Sequence, residues 1–377
     1  MKETKSLERY QRQMLLKEFG EAGQQKLLGA KVVVIGAGGL GCPVLQYLVA
    51  AGIGTIGIVD DDTVSLTNLH RQPLYTVKDI GLPKAELAAS GLRQLNPDID
   101  IISYNQRLTV ENALDILASF DIIVDGTDNF ATRYMINDAC VLLDKPLVYG
   151  AISQFEGQVA VFCPHPVKES DGGVNYRDLF PDPPKEDEVL NCAQAGVLGV
   201  LPGMIGIMMA NETIKLITGI GDPLVDQLLT YNALNNQQHI WTLTANPATR
   251  SLIPADEQAF KKMNYAWLCG SSGEVLEIDS IEFNELLANK DLDIIDVREL
   301  DELPEVKEFY HYRIPLKQIN ESADSIEAET VVVFCQSGMR SKQAATILSG
   351  IFGDSKKIYS LKGGIVNWKK QHQSQRS

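Results

Sequence analysis

From Lys31 to about Val148 the chain alternates short apolar runs with segments of helical period. KVVVIG (31–36) leads into an Ala/Leu-rich segment, TIGIVD (55–60) into a pattern that ends near Asn96, and IDIISYN, ENALDILASF and DIIVDGTD continue the series. Apolar runs of this length, each followed by a helical segment, predict right-handed βαβ units and a parallel sheet. GQVAVFCP (157–164) reads as a further strand. Beyond it lies VKESDGGVNYRDLFPDPPKEDEVLN (167–191), whose Pro, Gly and Asp content excludes a packed element through most of its length. A loop that long inside a compact domain is usually functional or mobile. A helix with small residues follows, and LLTYNAL with HIWTLTAN reads as a strand pair.

After Pro247 the pattern weakens, and residues 249–273 read as a linker with one short helix. From Glu274 a second βα series begins: DIIDVR (293–298), TVVVFC (330–335) with a helix behind it, and KIYSLKGG (357–364) with a terminal helix. The expected organisation is therefore one domain over 1–248, a linker over 249–273 and a smaller domain over 274–377.

Composition narrows the class. A length of 377 residues fits two or three domains. A net charge of −15 argues against a general nucleic-acid or anionic-membrane binder, because phosphate surfaces repel it. The start, MKETKSLERYQRQM, has no apolar core and reads as neither signal peptide nor anchor. The stretch AGVLGVLPGMIGIMMA (195–210) is broken by Gly and Pro and reads as a buried helix, not a membrane span. Cysteines at 42, 140, 163, 192, 269 and 335 form no CxxC pair. That pattern suits a reducing cytoplasm better than a disulfide framework.

The first candidate chemistry is VVVIGAGGLGCP (32–43). Gly36-x-Gly38-x-x-Gly41 is a dinucleotide-type spacing, and alone it serves NAD, FAD or ATP equally. Asp60 ends the second strand, where a carboxylate can take ribose hydroxyls. The residues just beyond it discriminate: Asn68, Arg71 and Gln72, then Lys84 at an expected helix start. Arg forks and Lys point charges match triphosphate charge. Asp125 and Asp128 stand at the C-terminal edge of another strand, and hard oxygen ligands suit Mg²⁺. Singly each reads as a surface charge or turn residue; together they favour ATP with magnesium.

RYQRQ (9–13), GAGGLG, DDDTVSLTNLHRQ, GLPKAE, DGTDN and NCAQAGVLGVLPG together resemble the MoeB/ThiF/HesA family, over roughly residues 5 to 248. The resemblance implies Mg-ATP binding and adenylation of the C-terminal glycine of a small ubiquitin-like sulfur carrier ending in Gly-Gly, with release of pyrophosphate. It implies ATP-site roles for Gly36, Gly38, Gly39, Gly41, Asp60, Asn68, Arg71, Lys84 and Asp128, with Asp128 near the magnesium ion. Arg12 is expected to reach the site across a homodimer interface. Arg71, Lys84 and Asp128 carry the catalytic burden, since two anions must meet and no general base is needed. His70 then reads as positional packing. Many relatives bind a structural zinc through two CxxC pairs; here Asn175 and Asp178 stand where one pair would be, and NPATRS replaces the other. No zinc is expected. Cys192, after the long loop and before an apolar helix, reads either as a buried small residue or as a covalent participant, of which the second is favoured; Cys42 and Cys140 read as core.

TVVVFCQSGMRSKQAATIL (330–348) is a strand, a cysteine loop and a helix. Loop amides and the helix start converge on Cys335, with Gly338 allowing the curvature and Arg340 and Ser341 closing the loop. A phosphatase loop needs five residues between Cys and Arg; four separate Cys335 from Arg340, a smaller ring suited to a persulfide. With DVRE (296–299) and LKGGIVNW (361–368) the region resembles a rhodanese domain. In that family Asp296 and Arg298 would support the fold around the loop; the stretch ELDELPEVKEFYHYRIPL reads as the approach to it, with His311 as a candidate participant.

The implied fold class is α/β: a Rossmann-like ATP-binding domain with a mainly parallel sheet, then a smaller rhodanese-like domain. The expected function couples carrier adenylation to sulfur transfer from a Cys335 persulfide, loaded by an upstream sulfur donor, in molybdopterin or thiamine biosynthesis. A nucleotide-cofactor oxidoreductase fused to a rhodanese, and a partner-docking module, are the alternatives.

Overall fold

The computed structural model describes residues 7–163, 173–181, 196–265, 276–287, 291–299, 302–319 and 322–374. Cys192, Cys269 and most of the 167–191 stretch lie outside them. The chain forms two compact units, one running through Met263 and one from Asn264.

The first unit is built on β1 (Lys31–Ile35), β2 (Thr55–Val59), β3 (Asp100–Tyr104), β4 (Ile122–Asp125), β5 (Leu147–Ser153), β6 (Glu156–Phe162), β7 (Gln227–Asn232) and β8 (Gln237–Thr242). Their spatial order is β3-β2-β1-β4-β5-β6-β7-β8. From β3 to β5 neighbours are parallel; from β5 to β8 they are antiparallel. Val32, Val33 and Val34 are completely buried, as befits a central parallel strand covered on both faces, where an unbroken β-branched run needs no polar alternation. The chain walks outward from β1 to β3, then returns to lay β4 on the other side of β1. That reversal opens a crevice at the C-terminal ends of β1 and β4, the place where open α/β sheets bind ligands.

The Gly41–Ala51 helix follows β1 and packs on the Leu201–Thr218 helix, which also covers β5 and β6. The expected buried helix holds from Leu201 on, with Leu201, Ile205 and Met209 in the core, whereas Leu198 and Val200 ahead of it are exposed; among the described residues no helix is long and apolar enough to cross a membrane. The expected linker differs in its first half. Pro247–Leu252 is a 3-10 turn and Glu257–Lys261 a short helix, with Thr249 and Phe260 buried. As far as Met263 this stretch packs onto the first unit, anchored by one aromatic side chain and one hydroxyl too sparse to show as a periodic pattern.

The second unit holds β9 (Leu276–Ile278), β10 (Leu292–Asp296), β11 (Tyr312–Arg313), β12 (Thr330–Phe334) and β13 (Lys357–Leu361), all parallel, in the order β11-β10-β12-β13-β9. Alternate residues of β12 feed two cores: Val331 and Val333 lie with Leu348 and Ile358 on one face, Val332 and Phe334 with Phe283 and Trp368 on the other. Cys335 sits at the C-terminal end of this central strand, ahead of the Met339–Phe352 helix.

Candidate functional site

The crevice at the end of β1 and β4 is a cavity of about 370 Å³. The turn after β1 enters it because its glycines let backbone stack on backbone. Gly36 adopts φ +90°, and a Cβ on Gly41 would stand 1.9 Å from the Gly36 carbonyl oxygen. Gly38 is different: the nearest atom to a Cβ there is Gln72 Nε2, at 3.5 Å. Gly41→Ala is therefore expected to destabilise the first unit by about 2–4 kcal/mol. Gly38→Ala is expected to leave stability nearly unchanged and to weaken nucleotide binding, since its methyl would project into the cradle. Thermal unfolding with and without ATP distinguishes the two.

Gly36, Gly38, Gly39, Asp60, Asn68, Arg71, Lys84 and Asp128 all line this cavity. Asp60 accepts the Ala37 amide at 2.7 Å and the Asp62 amide at 2.8 Å, so it holds the glycine turn while lining the cavity. Burial pushes its carboxyl above the ordinary value, and those two amides pull it back. Asn68 Oδ1 accepts the Ser65 amide and caps a short turn. Arg71 is positioned by donation from Nη1 to the Thr67 carbonyl at 2.9 Å. Lys84 opens the Lys84–Leu95 helix, is 4 % exposed, and donates to Asp62 at 2.9 Å. Gln72 Oε1 is buried and has no hydrogen-bond partner among the described residues. An orphaned acceptor beside a glycine cradle and two cations fits an amine- or hydroxyl-bearing phosphate ligand. Asp128 is exposed at the mouth, and among the described residues no three His, Cys, Asp or Glu side chains gather as a ready-made metal site.

Two features were missed by motif reading. Gln106, Arg107 and Leu108 also line the cavity, delivered there only because β3 ends on the same sheet edge. Arg133 lines it from the Phe130–Leu143 helix and donates to the Thr127 carbonyl at 2.8 Å. It lies 3.8 Å from Asp125, which in turn accepts from the Thr127 amide and hydroxyl. Asp125 thus braces the turn that carries Asp128. Arg12 is exposed and does not line the cavity of its own chain. His70 hydrogen-bonds Thr67 O through Nδ1, a local packing role.

Asn175 and Asp178 form a reciprocal cap on a four-residue helix. Asp178 Oδ1 also accepts from the Asn246 amide at 3.0 Å and from the Thr249 hydroxyl. Beneath them Arg177 and Asp138 make a bidentate buried pair at 2.7 and 2.8 Å. Polar contacts join the two segments in which the resemblance places zinc ligands. Cys42, Cys140 and Cys163 are buried, and burial pushes the Cys42 thiol up to about 12, which makes it a packing group and not a nucleophile.

In the second unit the Gly338 amide points at Cys335 Sγ, 3.2 Å away, with Gly338 at φ +99°. Ser341 Oγ lies 3.7 Å from the sulfur and bonds the Gly338 carbonyl and Ser360. Asp296 and Arg298 form a buried bidentate pair, and Arg298 reaches the loop through Gln336 Oε1. His311 stacks edge-on near Phe334 and bonds the Phe309 carbonyl, so its ring is held by the aromatic cluster beside β12.

Both units match known families. The ThiF family model matches residues 10–251, and a rhodanese-like domain model matches 280–371. A sulfur carrier protein adenylyltransferase of Thermus thermophilus is 52 % identical over 265 residues, 70 % of this chain and 97 % of the relative. A probable adenylyltransferase/sulfurtransferase MoeZ of Mycobacterium tuberculosis is 41 % identical over 378 residues, 97 % of this chain and 93 % of its own length. An adenylyltransferase and sulfurtransferase MOCS3 of Arabidopsis thaliana is 37 % identical over 400 residues, 96 % and 82 % of the two chains. The crystal structure of E. coli MccB with ATP superposes with a TM-score of 0.55 at 22 % identity, over 65 % of this chain and 73 % of that one, a likeness of fold.

Proposed function

The chain belongs to the ThiF family and ends in a rhodanese-like domain, and from that premise we propose an ATP-dependent carrier-activating enzyme with its sulfurtransferase in the same polypeptide. Residues 1–248 would adenylate, and residues 274–377 would supply sulfur. The observation that carries this reading is the pairing of two sites in one chain. One is a glycine cradle with Arg71 and Lys84 at a sheet switch point; the other is a cysteine whose sulfur receives a loop amide.

The chemistry follows from charge. A carrier C-terminal carboxylate oxygen attacks the α-phosphorus of ATP, the bond to the β,γ-phosphates breaks, and pyrophosphate leaves with its electron pair. The nucleophile is already ionised, so the site must neutralise converging anions rather than move a proton. Arg71 and Lys84, which line the cavity, would do so, and Arg12 would add a further cation from a second copy of the chain. Asp128 would hold magnesium, whose bound form screens phosphate charge. A terminal sulfur on Cys335 then attacks the acyl carbon and displaces AMP. Cys192, as resolving thiolate, would take the Cys335 sulfur into a disulfide and leave a thiocarboxylate on the carrier; an external dithiol would then reduce that disulfide to the two thiols and leave as its own disulfide. Fusion raises the local concentration of sulfur donor at the acyl-adenylate when the linker spans the gap.

The test is magnesium-dependent ATP–pyrophosphate exchange with candidate Gly-Gly carriers from molybdopterin and thiamine synthesis. Exchange stimulated by one carrier is expected and names the pathway. Absence of ATP binding would overturn the nucleotide assignment of the cavity.

A further inference from the structure

The two arginines closest to the cysteine loop in the hydrogen-bond network, Arg340 and Arg298, are each bound by a carboxylate. Arg340, the second residue of the Met339–Phe352 helix, donates through both Nη atoms to the two oxygens of Glu302, Nη2 at 2.7 Å. Glu302 Oε1 also accepts the Glu299 amide at 2.9 Å, which fixes the carboxylate in place. Arg298, 1 % exposed, is bound by Asp296 through Nε and Nη2. Arg313 lies 3.8 Å from Asp296, and Lys342 lies 3.0 Å from Glu277. Arg340 follows Cys335 by five residues, at the start of the helix that closes the loop. An incoming donor thus meets the Gly338 amide and the Ser341 hydroxyl, while the guanidinium that closes the loop, Arg340, is already held by Glu302.

We propose that Glu302 sets donor specificity: by occupying both donor edges of Arg340, it disfavours dianionic sulfane donors and leaves the loop selective for sulfur arriving as a cysteine persulfide. This rests on the reading of Cys335 as the sulfur carrier. Loading from thiosulfate joins a Cys335 thiolate to the outer sulfur of S–SO₃²⁻, breaks that S–S bond, and releases sulfite with the electron pair. Three negative charges converge. Loading from a persulfide joins the same thiolate to the terminal sulfur of R–S–S⁻ and releases R–S⁻, and two charges converge. Only the first reaction needs an uncommitted guanidinium, because the extra charge must be met by the protein or by water. The pair is partly exposed, with side chains 33 % and 27 % accessible, so its removal opens Arg340 to anions without emptying a core.

The experiment is single-turnover loading of the full-length protein, read as the mass gain of one sulfur atom. Thiosulfate and free cysteine persulfide are compared for wild type, Glu302→Gln and Glu302→Ala, with Cys335→Ala defining background on other thiols. In both Glu302 variants the second-order loading rate from thiosulfate is expected to rise roughly three- to tenfold. That gain should shrink at high salt, and loading from cysteine persulfide should change by less than about twofold. Unchanged thiosulfate loading, or an equal rise with both donors, overturns the assignment of Glu302. If wild type takes sulfur from neither donor above the Cys335→Ala background, the carrier role of Cys335 fails and the proposal falls with it.

Discussion

Lys84→Met is expected to lower carrier-stimulated ATP–pyrophosphate exchange by about two to three orders of magnitude, the scale of losing one preorganised charge at a developing anion. The lysine is the first residue of a helix, where the backbone dipole favours negative charge, and it is buried. Neither condition suits a lysine placed for stability. Its carboxylate partner, Asp62, is 72 % exposed, so water can take over that carboxylate when the ammonium goes. The stability cost of the substitution is accordingly about 1 kcal/mol or less, and methionine keeps the aliphatic stem packed. A thermal midpoint within a few degrees of wild type, with exchange nearly lost, is the expected pair of results. Exchange within about threefold of wild type would mean that Lys84 does not meet phosphate charge, and Arg107 or Arg133 would take over as the candidate cation.

Much of this site was legible because motif and topology agree. The β-branched run 32–35 could only be a buried strand, and the glycines after it mark backbone contacts that a side chain would block. Strands alternating with helices then bring the ends of β1, β2 and β4 to one edge, where Asp60 and Asp128 line the cavity with the glycines. Gln106–Leu108 carry no motif; their place follows only from β3 closing the same edge. Arg133 looks like any helical arginine until its guanidinium is seen under the Asp125–Thr127 turn. Glu302 lies in a charge-rich stretch, and its partner Arg340 is 38 residues away, a pairing that no local pattern encodes. The link from Asp178 to Thr249 spans 71 residues, which is why the stretch after 248 reads as linker although its first half is packed.

Cys335→Ala is expected to abolish thiocarboxylate formation and leave ATP–pyrophosphate exchange at the wild-type rate. The sulfur sits at the end of β12 and receives the Gly338 amide, but the loop does not depend on it for shape. Ser341 still holds the Gly338 carbonyl and Ser360, and Arg298 still reaches Gln336. Removing one buried sulfur costs about 1–2 kcal/mol, within what the second unit can lose and remain folded. The first unit has its own sheet, core and glycine-lined cavity, so adenylation there would have no need of the thiol. The intermediate should therefore accumulate as acyl-adenylate when carrier and ATP are supplied, and AMP release should slow to the rate of hydrolysis. Thiocarboxylate appearing at full rate would place the transferred sulfur elsewhere and break the coupling of the two sites. Loss of exchange together with loss of sulfur transfer would point to a different coupling, in which the cysteine loop must be intact before the carrier's carboxylate can be activated at all.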